Sequence, residues 1–507
     1  MLPSTSLAQA HPKTADRSTI PAGIPGGAFF EGQWQTANLT FDVRDPEDGF
    51  LLRQVCESTP EEVRRAIAHI HRHLERDDWP LRGRREAIEK AGLLLREQAE
   101  RFARLIAAEG SKTITEAERE VSRCIETLRL SAAASAELEG ETLGFEDSLT
   151  GPGKTGWYKR RPVGIIAAIT PFNDPLNLVA HKLGPALIGG NGVVLKPSSR
   201  TPLSGLALVQ LLLQAGVPSG RIAAIVTGPG VSEALVSDAR VDLISFTGGP
   251  RTADRIAAAA GAKKILSELG GNNATIVCAD AEADRAAEAI VAGAFGVAGQ
   301  NCLSVQRVYV HATLFEHVLD EVVRRTKALR TGPKLDRSTD IGPLISEVEA
   351  RRVEEWVEEA RAAGATIRTG GQRHGAHYEP TVLTEVPSQS RVIREEVFGP
   401  VISILPFTEI SEAIAAANDS DYALQAGVFT QSIDLALSIA DRFHVGAVVI
   451  NETSDLRIDS MPFGGFKKSG VGREGVRYAV REMTEPKSII ISRREPQQES
   501  MLQGAAS

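Results

Sequence analysis

Over residues 60–109 (PEEVRRAIAHIHRHLERDDWPLRGRREAIEKAGLLLREQAERFARLIAAE) apolar and charged positions recur three and four apart, which predicts amphipathic helix. From residue 163 the pattern changes. VGIIAAIT, GGNGVVLKPSS, RIAAIVTGPG and VDLISFTGG are short apolar runs that end in Gly, Pro, Ser or Thr, separated by helical stretches such as PLSGLALVQLLLQAG and GVSEALVSDA. Strands that read as unbroken apolar runs are buried on both faces, and their alternation with helices predicts a parallel sheet with helices on both sides. That is a Rossmann-like, doubly wound region. A second alternation begins at NNATIVCADA and passes through QRVYVHATL, helical EHVLDEVVRRTKAL and VEARRVEEWVEEARAAGA, then VISILPF and VGAVVIN. The fold class is therefore α/β, with two successive units joined at the turn-rich SELGGNN. Residues 1–24 read as a flexible leader and 496–507 as a polar, disordered tail.

Composition narrows the ligand. The 507 residues are 42% hydrophobic and 24% charged, enough for large buried cores. The net charge of -8 is dispersed along the chain, which leaves no footprint for nucleic acid or an anionic membrane and points to small solutes. The four cysteines, Cys56, Cys124, Cys278 and Cys302, are far apart and form no CxxC, so neither a disulfide framework nor a metal site is expected. The first residues lack the basic and apolar stretches of an export signal, and no apolar run approaches the ~18 residues of a membrane span. A cytoplasmic location is expected, where a thiol stays reduced.

The candidate chemistry centres on Cys302 in FGVAGQNCLS. A lone cysteine is core filler more often than nucleophile, so its company matters. ITPFNDP places Asn173 in a turn after a predicted strand, where its amide can donate to a developing oxyanion. GVVLKPSS places Lys196 at another strand end, and FTGGP closes a third with Gly248 and Gly249, whose backbone can approach a phosphate. SELGG and EEVFGP present Glu268 and Glu396. Each alone has a bland reading as turn or loop chemistry.

Taken in order over about residues 25–490, PFN, KP, FTG, ELGG, GQNC, EEVFGP and MPFGGFKKSGVGREG resemble the aldehyde dehydrogenase superfamily. The resemblance implies that Cys302 attacks an aldehyde, that Asn173 and the Cys302 amide hold the oxyanion, and that Glu268 activates the water that releases the acid. It implies a cofactor site at Thr170, Phe172, Lys196, Thr247, Gly248, Gly249, Leu269, Glu396 and Phe398. It also implies a discontinuous NAD(P)-binding domain over 25–145 and 163–270, to which 450–482 returns. A catalytic domain over 271–449 and a small β oligomerisation extension, with strands in 146–162 and 483–495, complete a homodimer or homotetramer.

The departures are informative. Ser199 stands where many NAD-using members carry glutamate, and Arg200 follows it, so NADP is the expected cofactor with NAD still usable. The second glycine of FTGGP and Ala253 also differ from common family residues. Asp174, Asn301 and Arg457 give the substrate mouth a polar wall suited to a short hydroxylated or anionic aldehyde. Alternatively, Arg457 pairs with Asp459 or with a neighbouring subunit. A coenzyme-A-acylating semialdehyde dehydrogenase, a cysteine hydrolase without redox chemistry and an idle binding protein on the same scaffold remain open at this stage.

Overall fold

The computed structural model describes residues 20–36, 39–76 and 79–493. The apolar runs after residue 163 lie side by side in one sheet, in the order Ile222–Ala224, Gly192–Lys196, Ile165–Ile169, Val241–Thr247, Lys264–Glu268, all parallel. Short antiparallel pieces flank them, Phe29–Phe30 with Gln33–Trp34 at one edge and Gly470–Val471 at the other. The chain starts in the middle at Ile165–Ile169, grows to one side, then crosses to the other at Val241–Thr247. Ligands of open α/β sheets gather at the carboxyl ends of strands beside such a reversal.

The sheet is buried because both its faces are covered. Helices Leu81–Glu97, Ala99–Glu109, Ile114–Ala133, Asn177–Gly189 and Pro202–Ala215 contribute to the core on one side. Pro60–Leu74 packs Val63, Ile67 and Ile70 against the other. The single amphipathic pattern over 60–109 thus resolves into three helices. The first starts at a capping box of Thr59 and Glu62, and Pro80 stands immediately before the second.

A second sheet, ordered Thr366–Thr369, Thr381–Thr384, Val401–Phe407, Val305–His311, Asn273–Val277, Gln425–Phe429, Ala447–Ile450, is parallel except for its first strand. A small third sheet joins Thr142–Leu143, Lys154–Pro162 and Thr484–Ser492. Family resemblance points to a neighbouring subunit as partner of the last strand. Its partner here is its own chain, since Thr484–Ser492 pairs along its whole length with Lys154–Pro162. The opposite edge stays open and carries the exposed Ile489, Ile490 and Ile491. The leader up to residue 19 and the tail from 494 fall outside the described residues.

Candidate active site

A cavity of about 1610 Å³ is lined by the carboxyl ends of the first sheet's strands and by the loops that carry Asn301, Cys302, Glu396 and Arg457. Cys302 reaches it through an unusual backbone. Val297 and Ala298 have φ of 53° and 51°, and Gly299 follows at 70°. Left-handed geometry costs a residue with a Cβ about 1–2 kcal/mol, so neighbours must hold it. The Val297 N–H donates to Glu116 Oε1 (2.7 Å), and a Cβ on Gly299 would stand 2.1 Å from the Gly399 carbonyl. Asn273, which sequence reasoning passed over, fixes the loop from behind by donating to the carbonyls of Cys302 (2.8 Å) and Ser304 (3.0 Å).

Asn173 lines the same cavity, and its amide has no hydrogen-bond partner among the described residues. Glu268 ends its strand at the cavity wall with Oε2 unpartnered. Burial, reinforced by the Glu474 carboxylate, holds its carboxyl well above the usual range against Arg457, Lys182 and Arg473. Burial likewise pushes the Cys302 thiol up to about 12; Arg457 opposes this, while Glu396, Glu268 and Asp174 add to it.

At the nucleotide end, Lys196 has no ion-pair partner among the described residues, and burial alone lowers its pKa. The hydroxyls of Thr170 and Thr247 are buried without partners. Gly248, Gly249, Ser199 and Leu269 complete this wall. Glu396 accepts from the Gly271 N–H (2.9 Å), and burial raises its carboxyl to about 7. A Cβ on Gly270 would stand 2.2 Å from Glu396 Oε2, so a side chain there would displace that carboxylate. The rings of Phe172 and Phe398 meet edge to face at 5.7 Å. Orphaned hydroxyls, an unpaired buried ammonium and a glycine-bounded turn fit a dinucleotide phosphate and ribose. One expectation fails here. Arg200 is exposed and does not line the cavity, because its side chain lies outside the cleft at the approach to the helix Pro202–Ala215. Besides Lys196, this end carries Arg251 and Arg255, four residues apart on the helix Pro250–Ala260, and neither has an ion-pair partner among the described residues.

At the substrate end, the helix Ile114–Ala133 presents Glu116, Arg119, Glu120 and Arg123 to the cavity at three-to-four spacing. Glu120 accepts from the N–H groups of Leu176 (2.8 Å) and Asn177 (2.9 Å) and from Lys112 (2.7 Å), which holds the turn bearing Asn173. Lys112 also binds Asp174, and Arg123 bridges Asp174 (3.4 Å) and Asp459 (2.8 Å). Asp174 is thus engaged inside the protein. Asn301 spends its amide on Asp455 and its Oδ1 on the Leu303 N–H (3.1 Å). Arg457 lies between Asp459 (3.8 Å) and Glu474 (3.5 Å), with its guanidinium 3.9 Å above the Phe463 ring. Internal pairing is therefore what the fold gives Arg457. Arg119, not singled out in the sequence, is the cation of this wall without a partner among the described residues.

Known proteins share this arrangement of chain. The sequence profile of the aldehyde dehydrogenase family matches residues 34–489. The 3-sulfolactaldehyde dehydrogenase of Priestia aryabhattai is 42% identical over 468 residues, covering 92% of this chain and 98% of its own. Aspartate-semialdehyde dehydrogenase 1 of Pseudomonas canavaninivorans is 43% identical, covering 89% and 96%. The crystal structure of glyceraldehyde-3-phosphate dehydrogenase GapN from Methanocaldococcus jannaschii, complexed with NADP, superposes with a TM-score of 0.86 at 37% identity, covering 90% of this chain and 100% of that one. With the motifs, the two sheets and the cavity in agreement, the chain belongs to the aldehyde dehydrogenase family and is an NAD(P)-dependent oxidoreductase acting on an aldehyde group.

Proposed function

We propose that the protein oxidises a short aldehyde, hydroxylated or anionic at its far end, to the free carboxylic acid, with NADP preferred and NAD usable. The observation that carries this reading is the meeting of Cys302, Asn173 and Glu268 on one cavity whose substrate wall keeps the Arg119 guanidinium unspent. Sulfolactaldehyde, aspartate semialdehyde and glyceraldehyde 3-phosphate, the aldehydes after which the three relatives are named, each carry an anionic group and support an anionic tail here.

The Cys302 thiolate adds to the carbonyl, and the Asn173 amide with the Cys302 N–H holds the oxyanion. Lys196, Thr247, Gly248, Glu396 and Phe398 would hold a nicotinamide dinucleotide, which would supply the hydride acceptor for this oxidation. Glu268 then accepts a proton from the water that attacks the thioester on Cys302, and the acid leaves with the thiol restored. The buried Glu268 favours this outcome over transfer to coenzyme A. An aldehyde panel run with both cofactors, with product identified by mass spectrometry, tests the reading. Acyl-thioester formed only with coenzyme A present, or no cofactor reduction at all, would overturn it.

Arg119→Gln should raise KM about tenfold for an anionic probe such as succinic semialdehyde, and leave kcat and the kinetics of glycolaldehyde unchanged. Equal effects on both aldehydes would remove Arg119 from substrate recognition. Ser199→Glu places a carboxylate where a 2′-phosphate is expected and should lower kcat/KM for NADP roughly ten- to a hundredfold, with NAD unharmed. A parent enzyme that prefers NAD more than about a hundredfold contradicts this choice of cofactor.

The reading places the protein in a reducing cytoplasm, where Cys302 stays free. The open edge of Thr484–Ser492 supports pairing with a second copy. Light scattering at micromolar concentration should show a dimer or tetramer, and a monodisperse monomer is the contrary result.

A further inference from the structure

Beyond Glu268 the chain runs through Leu269, Gly270, Gly271 and Asn272, and each of these is anchored differently. The Leu269 N–H donates to the Ser469 carbonyl (3.0 Å), and the Ser469 hydroxyl donates to the Gly270 carbonyl (2.7 Å). Asn272 donates its amide to the Ile393 carbonyl (2.6 Å) and accepts from Arg307 at its own carbonyl (2.8 Å). The Gly271 carbonyl goes to Gln306, whose Nε2 donates to it at 3.1 Å. The Oε1 of the same amide accepts from the Val397 N–H, also at 3.1 Å. Since the Gly271 N–H donates to Glu396, a closed circuit runs from the Glu396 carboxylate through Gly271 and Gln306 to Val397, the next residue of the chain. We propose that Gln306 is a positioning residue for hydride transfer, which fixes the Glu396 carboxylate where it meets the nicotinamide half of the cofactor. The proposal rests on the reading of Glu396 as a cofactor contact given above.

Gln306 is buried near the start of the strand Val305–His311, four residues after the nucleophile. Only one orientation of its amide serves both contacts. With N and O exchanged, two donors would meet at Val397 and two acceptors at Gly271. What it holds is soft without it. Gly270 and Gly271 have no side chains to pack, and Phe398, beside Val397, sits at φ 47°, a left-handed geometry unfavourable for a residue with a Cβ. Arg352 supports the loop from another side by donating to the Val397 carbonyl (2.7 Å). The loop also abuts the nucleophile loop, where the Gly399 carbonyl closes on Gly299, so Glu396 belongs to the reacting end of the dinucleotide rather than the adenosine end. An apolar residue at 306 leaves the Gly271 carbonyl and the Val397 N–H buried without partners, and Glu396 moves as they find others. Nucleophile and base are anchored separately, the Cys302 carbonyl by Asn273 and the residues after Glu268 by Ser469. Loss of Gln306 therefore separates hydride transfer from thiol and base chemistry.

The test compares Gln306→Met, which keeps the length and volume of the side chain, with the parent full-length enzyme. Hydrolysis of p-nitrophenyl acetate without cofactor acylates and frees Cys302 with no hydride step, and it should stay within about twofold of the parent. Affinity for NADP, followed by tryptophan quenching, should weaken roughly tenfold, while affinity for adenosine 2′,5′-bisphosphate, which lacks the nicotinamide half, is unchanged. Single-turnover NADPH formation from succinic semialdehyde should slow about tenfold or more, and deuterium at the aldehyde carbon should give a larger isotope effect on kcat. Because Gln306 acts through Glu396, Gln306→Met should cost less than about twofold further in a Glu396→Gln background. Gln306→Asn, polar but too short to span both peptides, replaces the methionine variant should that one be insoluble. Equal losses in ester hydrolysis and hydride transfer, a parent-like hydride step, or additive effects in the double variant overturn the proposal. A Glu396→Gln enzyme that binds NADP and transfers hydride like the parent would instead remove the reading of Glu396, so the two failures are distinguishable.

Discussion

Cys302→Ala is expected to abolish aldehyde-dependent NADP reduction, by roughly 10⁴-fold or more, because no other group on the cavity can form the covalent intermediate. Cofactor binding should survive. The loop is held through the Cys302 carbonyl by Asn273 and through the Val297 amide by Glu116, and neither bond uses the thiol. Tryptophan quenching by NADP and steady-state rates on one preparation check both halves. Retention of more than about a tenth of kcat would show that Cys302 is not the nucleophile. Cys124 and Cys278 are buried in the apolar cores, so conservative changes there bear on stability rather than chemistry.

Glu268→Gln carries the second large effect. The amide keeps the volume of the side chain but cannot take a proton from water, so the thioester on Cys302 should persist. Steady-state turnover is expected to fall roughly 10²- to 10⁴-fold, with an acyl adduct on Cys302 visible in the intact mass after mixing with aldehyde and cofactor. Turnover equal to the parent's would rule out Glu268 as the base.

The parts of this molecule legible in its sequence are those specified locally. VGIIAAIT and VDLISFTGG read as strands buried on both faces because each is an unbroken apolar run closed by a turn residue, and they occupy the centre of the first sheet. The motif residues around Asn173, Glu268 and Cys302 were legible as a series. What stayed hidden depends on contacts distant in sequence. The helix Asn177–Gly189 is buried on every side, its His181 and Lys182 included, and contains Gly184 and Pro185, so it shows no polar face to betray it. Asp174 looked free until the fold brought Lys112 beside it. Arg200 adjoins Ser199 in sequence, but it is exposed in the bend before the helix Pro202–Ala215, and the cleft is lined instead by Arg251 and Arg255 from the later helix Pro250–Ala260.

The helix Ile114–Ala133 divides its labour in a way that bears on how such an enzyme changes through evolution. Its carboxylates are structural: Glu116 carries the nucleophile loop and Glu120 carries the turn of Asn173. Its Arg119 touches neither loop. Substitution at 119 can therefore redirect the choice of aldehyde while the catalytic frame stays intact, whereas a change at 116 or 120 damages every substrate alike. A lineage, or a laboratory library, that samples the first position and preserves the other two explores new substrates at little risk to the chemistry.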